Sequence, residues 1–117
     1  MFAKRPQFSA SPAMGRTALG CALAFGLLLG GQAQAAGDAE AGKSKASTCI
    51  ACHGVDGNST NPEWPKLAGQ HARYIVLQLK AFKAGERKNP LMSPMAANLS
   101  EQDMEDLAAY YESQKMK

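Results

Sequence analysis

Cys49-Ile50-Ala51-Cys52-His53 is the stretch on which the reading of this chain turns. Two thiols three positions apart, with an imidazole directly after the second, form the C-x-x-C-H pattern of covalent c-type haem attachment. The chemistry accounts for the spacing. Each sulfur adds to one of two vinyl groups on one edge of a porphyrin, and two intervening residues in a helical turn set the separation between the sulfurs. His53 is then carried beneath the iron, where a ring nitrogen takes the proximal axial position. Other uses of the pair fit less well. A structural zinc needs four ligands, usually as two pairs, and the spare donors here are Cys21, inside a leader, and His71. A thioredoxin-like dithiol needs a βαβ setting, whereas the chain holds four Val and Ile residues in total (Ile50, Val55, Ile75, Val76) and no alternating run.

Residues 1–35 read as a signal peptide that is cleaved, leaving one domain over 36–117. Lys4, Arg5 and Arg16 make a basic start, Thr17 to Gly31 is an apolar run, and Ala33-Gln34-Ala35 supplies small residues for a peptidase. The run is shorter than the roughly twenty apolar residues a comfortable membrane span needs. Cys21 lies inside the apolar run and does not read as a lipoprotein cysteine. Without the leader, ten basic residues face ten acidic ones, so the basic balance of the whole chain carries no message about nucleic acid. There is no basic stripe with interleaved aromatics either. The exported part keeps only Cys49 and Cys52, which leaves no disulfide framework. About eighty residues bury little apolar area, and a porphyrin would supply the missing core.

Along the mature part, Asp38 is placed to cap a helix that runs into the haem motif, with Ala39, Ala41, Ala46 and Ala51 keeping one side slim. Gly42 costs such a helix about 1 kcal/mol relative to Ala, which suggests a close crossing by another helix, with Tyr110 or Tyr111 as the partner. Gly54 to Pro62 is loop, continued by Trp64-Pro65-Lys66-Leu67-Ala68-Gly69. A metal-bound histidine usually gives its other ring N–H to a fixed carbonyl, and this proline-stiffened loop is a natural source of one. Trp64 and Leu67 are expected to line the pocket. Gln70 to Ala84 reads as the central helix, with Tyr74, Leu77 and Lys80-Ala81 in helical register and Val76, Leu79 and Phe82 widening the stripe; Gly85 ends it. His71, in its first turn, reads as exposed. Asn89 to Leu99, with two prolines, reads as a stiff loop. It contains Met92 and Met95, the methionines left as soft axial ligands once those of the leader, a helix face (Met104) and the terminus (Met116) are set aside. Ser100 and Asp103 then form a capping-box variant, and Met104, Leu107, Ala108 and Tyr111 share one buried face. The acids at 101, 103, 105 and 106 suit the helix start and are otherwise expected on solvated surface.

Cys49-x-x-Cys52-His53-Gly54, Asp56-Gly57-Asn58-Ser59, Pro65-Lys66-Leu67-Ala68-Gly69-Gln70, the Met-x-x-Met loop and Leu99-Ser100 before a helix ending near Tyr110-Tyr111 together resemble a class I cytochrome c. The pattern most resembles one domain of the bacterial c-four type and is also similar to the c-five-fifty-three type; it spans Gly37 to about Gln114. The resemblance implies an all-α fold with crossing terminal helices around one haem c, bound covalently through Cys49 and Cys52. It implies His53 and a methionine as axial iron ligands, with Met92 the first choice and Met95 the second, and the Pro65 carbonyl holding the His53 ring. C-four proteins carry two such domains in tandem, whereas this sequence has one haem motif. Dimerisation would restore a pair.

The function so implied is that of a periplasmic electron carrier and not an enzyme. Its partners would be a donor of the quinol–cytochrome c reductase type and a terminal oxidase or reductase as acceptor. Neither nucleic acid nor stable membrane insertion after cleavage is expected, and the protein would be a monomer or weak homodimer. Lys43, Lys45, Lys66 and Lys88 are candidate docking charges. The competing reading is a haem sensor or small catalytic haem protein whose sixth iron position is open.

Overall fold

Asp38 turns the chain into its first helix: its backbone is extended, and its side chain accepts the Ala41 N–H at 2.8 Å. This is the cap that satisfies one of the donors every helix start leaves unpaired. The computed structural model describes residues 36–117, so the leader read over 1–35 lies outside the described residues. The described elements are α1 (Ala39–Lys45), a 3-10 turn (Ala46–Thr48), α2 (Ile50–His53), α3 (Ala72–Ala84), α4 (Met92–Ala97) and α5 (Glu101–Ser113). There is no strand among the described residues, and none of their helices is long and apolar enough to cross a membrane.

The helix expected to run from Ala39 into the haem motif is broken. The chain tightens into the 3-10 turn, then restarts at Ile50. Cys49 stands at the N-cap of this separate turn, which carries the motif.

Helices α1 and α5 cross, and α5 also packs on α3, which in turn packs on α4. At the first crossing Gly42 lets the backbones meet. A Cβ there would overlap the Asp106 carbonyl oxygen and lie 2.8 Å from Tyr110 Cβ. The close approach read from Gly42 is therefore real, with Asp106 backbone as well as Tyr110 on the other side. The buried cluster is Ala46, Ile75, Val76, Met104, Leu107, Ala108, Tyr110 and Tyr111. On α3 Ile75 and Val76 belong to this core, Leu79 is partly buried against it and Phe82 is buried as well, whereas Tyr74 and Leu77 are 48% and 52% exposed. At 100° per residue Tyr74, Leu77 and Ala81 lie opposite the core face, so α3 is apolar on two sides and the protein core covers only one.

The stretch 89–99 is not all loop. Asn89 Oδ1 accepts the N–H groups of Leu91 and Met92, each at 2.9 Å, and the chain then forms α4. Pro94 is tolerated because it sits in the first turn, where its missing N–H would have had no partner within the helix. Ser100 caps α5 through a full capping box with Asp103, as the sequence suggests.

Asp106 departs from the expectation of a solvated acid. Its side chain is 4% exposed. Its carboxylate accepts the Asp38 N–H at 2.8 Å, the Gln102 side-chain amide at 2.8 Å and Lys45 Nζ at 2.5 Å. Lys45 also pairs with Asp103 at 2.8 Å, so it is committed to the helix crossing and is not a free docking charge. Lys66 Nζ likewise donates to the Lys117 carbonyl. The Asp38 backbone donor, then Lys45 and Gln102, pull the Asp106 pKa from 3.8 to about 2, and Lys45 holds that of Asp103 well below its ordinary value. A depressed folded-state pKa adds stability that is complete above the unfolded value and is lost as pH falls from about 4 through 2. Melting curves at pH 7, 5, 3 and 2.5 should therefore show the wild type losing stability chiefly below pH 5. Asp106→Asn should start lower at pH 7 and fall less on acidification; parallel losses in the two proteins would refute the assignment.

Candidate haem site

The motif is one turn of helix. The Cys49 carbonyl accepts the Cys52 N–H at 3.2 Å and the His53 N–H at 2.9 Å, and the Ile50 carbonyl accepts the Gly54 N–H at 3.0 Å. Residues three apart in a helix lie on the same side, so the two half-buried free thiols are neighbours across one turn. His53 is buried, with 6% of its surface exposed. Its Nδ1 lies 2.8 Å from the Pro65 carbonyl oxygen. A carbonyl can only accept, so this contact places the ring hydrogen on Nδ1 and leaves the Nε2 lone pair bare. That is the nitrogen available to a metal.

The Pro65 carbonyl is held by a loop tied down at several points. The Gly57 carbonyl accepts the Leu67 and Ala68 N–H groups at 2.8 and 3.1 Å, and the Tyr111 carbonyl accepts the Gly69 N–H at 2.8 Å. The Tyr110 hydroxyl donates to the Val55 carbonyl at 2.6 Å. Gly57 has φ +77°, and a Cβ on it would stand 2.7 Å from Ala68 N and 2.8 Å from Tyr111 Cδ1, so only glycine fits this turn. The Asn58 amide grips the tail, donating to the Lys115 carbonyl at 3.0 Å and accepting the Lys117 N–H at 2.8 Å. Sequence reading names Pro65 but not its supports. Tyr110 and Tyr111 read as packing residues, and only the fold shows that α5 braces the loop that reaches His53.

The other predicted residues fall as follows. Leu67, like Cys49, packs against the buried cluster, and Trp64 is half-buried in the loop before Pro65. Met92 opens α4 half-buried, while Met95, one turn on, is 52% exposed. His71 is exposed, as read. Among the described residues no group of three or more His, Cys, Asp or Glu side chains could hold a metal ion, so the ligands of a zinc tetrahedron do not converge. Two adjacent thiols without a disulfide, a buried imidazole of fixed tautomer and a half-buried thioether are instead a donor set that fits haem c.

The family model for cytochrome c matches residues 39–115. Cytochrome c4 of Pseudomonas aeruginosa is 54% identical over 88 residues, covering 75% of this chain and 44% of its own. Cytochrome c-554(548) of Halomonas halodenitrificans is 51% identical over 83 residues, 68% of this chain and 100% of its own. The crystal structure of reduced recombinant cytochrome c4 from Pseudomonas stutzeri superposes with a TM-score of 0.67 at 53% identity, over 70% of this chain and 48% of that one. The chain thus spans about half the length of the cytochrome c4 proteins it resembles, and all of the shorter relative is matched. With the motif turn, the braced His53 and the crossed helices all present, this chain belongs to the cytochrome c family.

Proposed function

We propose that the protein is a single-haem electron carrier of the periplasm, with haem c bonded through Cys49 and Cys52 and its iron held by His53 and Met92. Membership of the cytochrome c family supports the covalent haem. The observation that carries it is the 2.8 Å contact between His53 Nδ1 and the Pro65 carbonyl, which orients the ring and leaves Nε2 as the ligand. The haem would supply one-electron chemistry at an iron that cycles between ferrous and ferric states. The chain supplies the rest. His53 stays fixed through the Pro65 loop, and the thiols of one helical turn anchor the porphyrin edge. Met92, on a helix start pinned by Asn89, needs little further ordering to bind. Ligands that stay in place in both states keep the reorganisation small. Ile50, Tyr74 and Leu77 are large apolar residues left 36–52% exposed by the protein alone; a porphyrin face would cover such surface.

Partners would be a quinol–cytochrome c reductase type donor and a terminal oxidase or reductase acceptor, met through a small transient interface. Ten basic against ten acidic residues beyond the leader make long-range steering weak. A reduced-minus-oxidised spectrum of the exported protein, with its intact mass, tests the reading. A mass lacking one haem, or a ferric spectrum without the weak long-wavelength iron–thioether band, would exclude it or its ligand pair respectively. His53→Ala is expected to yield mainly haem-free chain by mass. Stable low-spin haem in that variant would show that another residue is the proximal ligand.

A further inference from the structure

Tyr111 is one of the two largest fully buried side chains, yet its hydroxyl has no hydrogen-bond partner. Buried hydroxyls are seldom left so, because the group loses its water without replacement. The ring cannot swing away to find one. It packs on the Gly57 turn, where a Cβ would lie 2.8 Å from Tyr111 Cδ1, and against Tyr110 with ring centroids 5.0 Å apart. Cys49 packs against the buried cluster that contains Tyr111 and is the polar side chain among the residues around it. Burial raises the phenol pKa most, and the adjacent Cys49 sulfur raises it further. As a free thiol, Cys49 can donate or accept, so neither direction is imposed. A thioether has no hydrogen and can only accept, weakly, while the phenol keeps its own.

We propose that the Tyr111 hydroxyl donates a hydrogen bond to the Cys49 sulfur of the haem-bearing protein, which makes Tyr111 a positioning residue for one of the two thioethers. The inference rests on the haem reading given above. It assigns the orphaned hydroxyl a partner and fixes the side-chain torsion of Cys49. It also points the positive end of an O–H dipole at the edge of the porphyrin, in a dry setting where such a dipole is poorly screened. The ferric state carries the larger positive charge, so the bond favours the ferrous state and raises the reduction potential.

Tyr111→Phe keeps the ring and removes the donor. The variant is expected to carry one haem by intact mass and to keep its iron–thioether band. It should be oxidised more readily: at the wild-type midpoint potential its ferric-to-ferrous ratio should rise about threefold. Its denaturant midpoint should be no higher than that of the wild type. An unchanged ratio, or a variant more stable than the wild type as expected on removing an unpartnered hydroxyl, would overturn the proposal. The wild type offers a second measurement that needs no variant. Its resonance Raman thioether C–S stretch should move between protein refolded in H2O and in D2O, and an unmoved band would also overturn it. A wild-type product without haem mass would sink the haem reading and this inference together. A haem-loaded Tyr111→Phe protein with unaltered redox balance would sink this inference alone.

Discussion

Gly42→Val is expected to destabilise the domain by about 3 kcal/mol or more, the upper range for overpacking a tight contact. In a domain this small that corresponds to a melting temperature lower by about 15 °C, or to no recoverable holoprotein. The reason is the α1–α5 crossing, where any Cβ at Gly42 collides with the Asp106 carbonyl oxygen, a backbone atom of α5. Relief requires the helices to separate. Separation would also strain the Asp106 contacts to Asp38 N–H and Lys45 made at the same crossing. Gly85 supplies the control. It ends α3 with φ +74°, and a Cβ added there would meet nothing within 4 Å, so Gly85→Ala should cost only about 1 kcal/mol of backbone strain. Thermal unfolding followed by far-ultraviolet circular dichroism compares the two. If Gly42→Val melts as high as Gly85→Ala, the crossing is not the tight contact described.

Met92→Ala is expected to abolish the long-wavelength ferric band and lower the reduction potential by an amount on the order of 0.1 V, since axial-ligand identity is among the strongest controls on haem potential. Met95→Ala should disturb both far less. The two residues lie one turn apart on α4, yet Met92 is half-buried at its start and Met95 is 52% exposed. Asn89 fixes the backbone at Met92 by accepting its N–H at 2.9 Å. Spectra and redox titrations of the two purified variants decide the matter. The reverse order of effects would move the ligand to Met95 and leave the carrier reading standing.

Local signals in the chain are legible where one short segment suffices to satisfy them. Asp38 and Ser100 cap their helices, Gly85 ends α3, and Gly42 marks a close crossing. The expectations that fail share a cause. Pro90 and Pro94 suggest loop, but Pro90 precedes α4 and the first turn of that helix tolerates the proline at 94. Asp106 looks solvated because its position suits a helix start; its burial comes from Lys45 and Asp38, some sixty residues earlier. Tyr74 and Leu77 have helical spacing, yet spacing cannot say which of two apolar faces meets α5.

The amino-acid order alone determined the chemistry of the site and the class of fold, because thiol, thiol and imidazole within five residues need only one helical turn to act together. Tertiary structure decided what that turn is fastened to. The Pro65 carbonyl on His53, the tyrosines of α5 behind the loop and Tyr111 beside Cys49 join residues 12 to more than 50 positions apart. Such contacts depend on how the helices cross, and no local pattern encodes a crossing beyond the glycine that permits it.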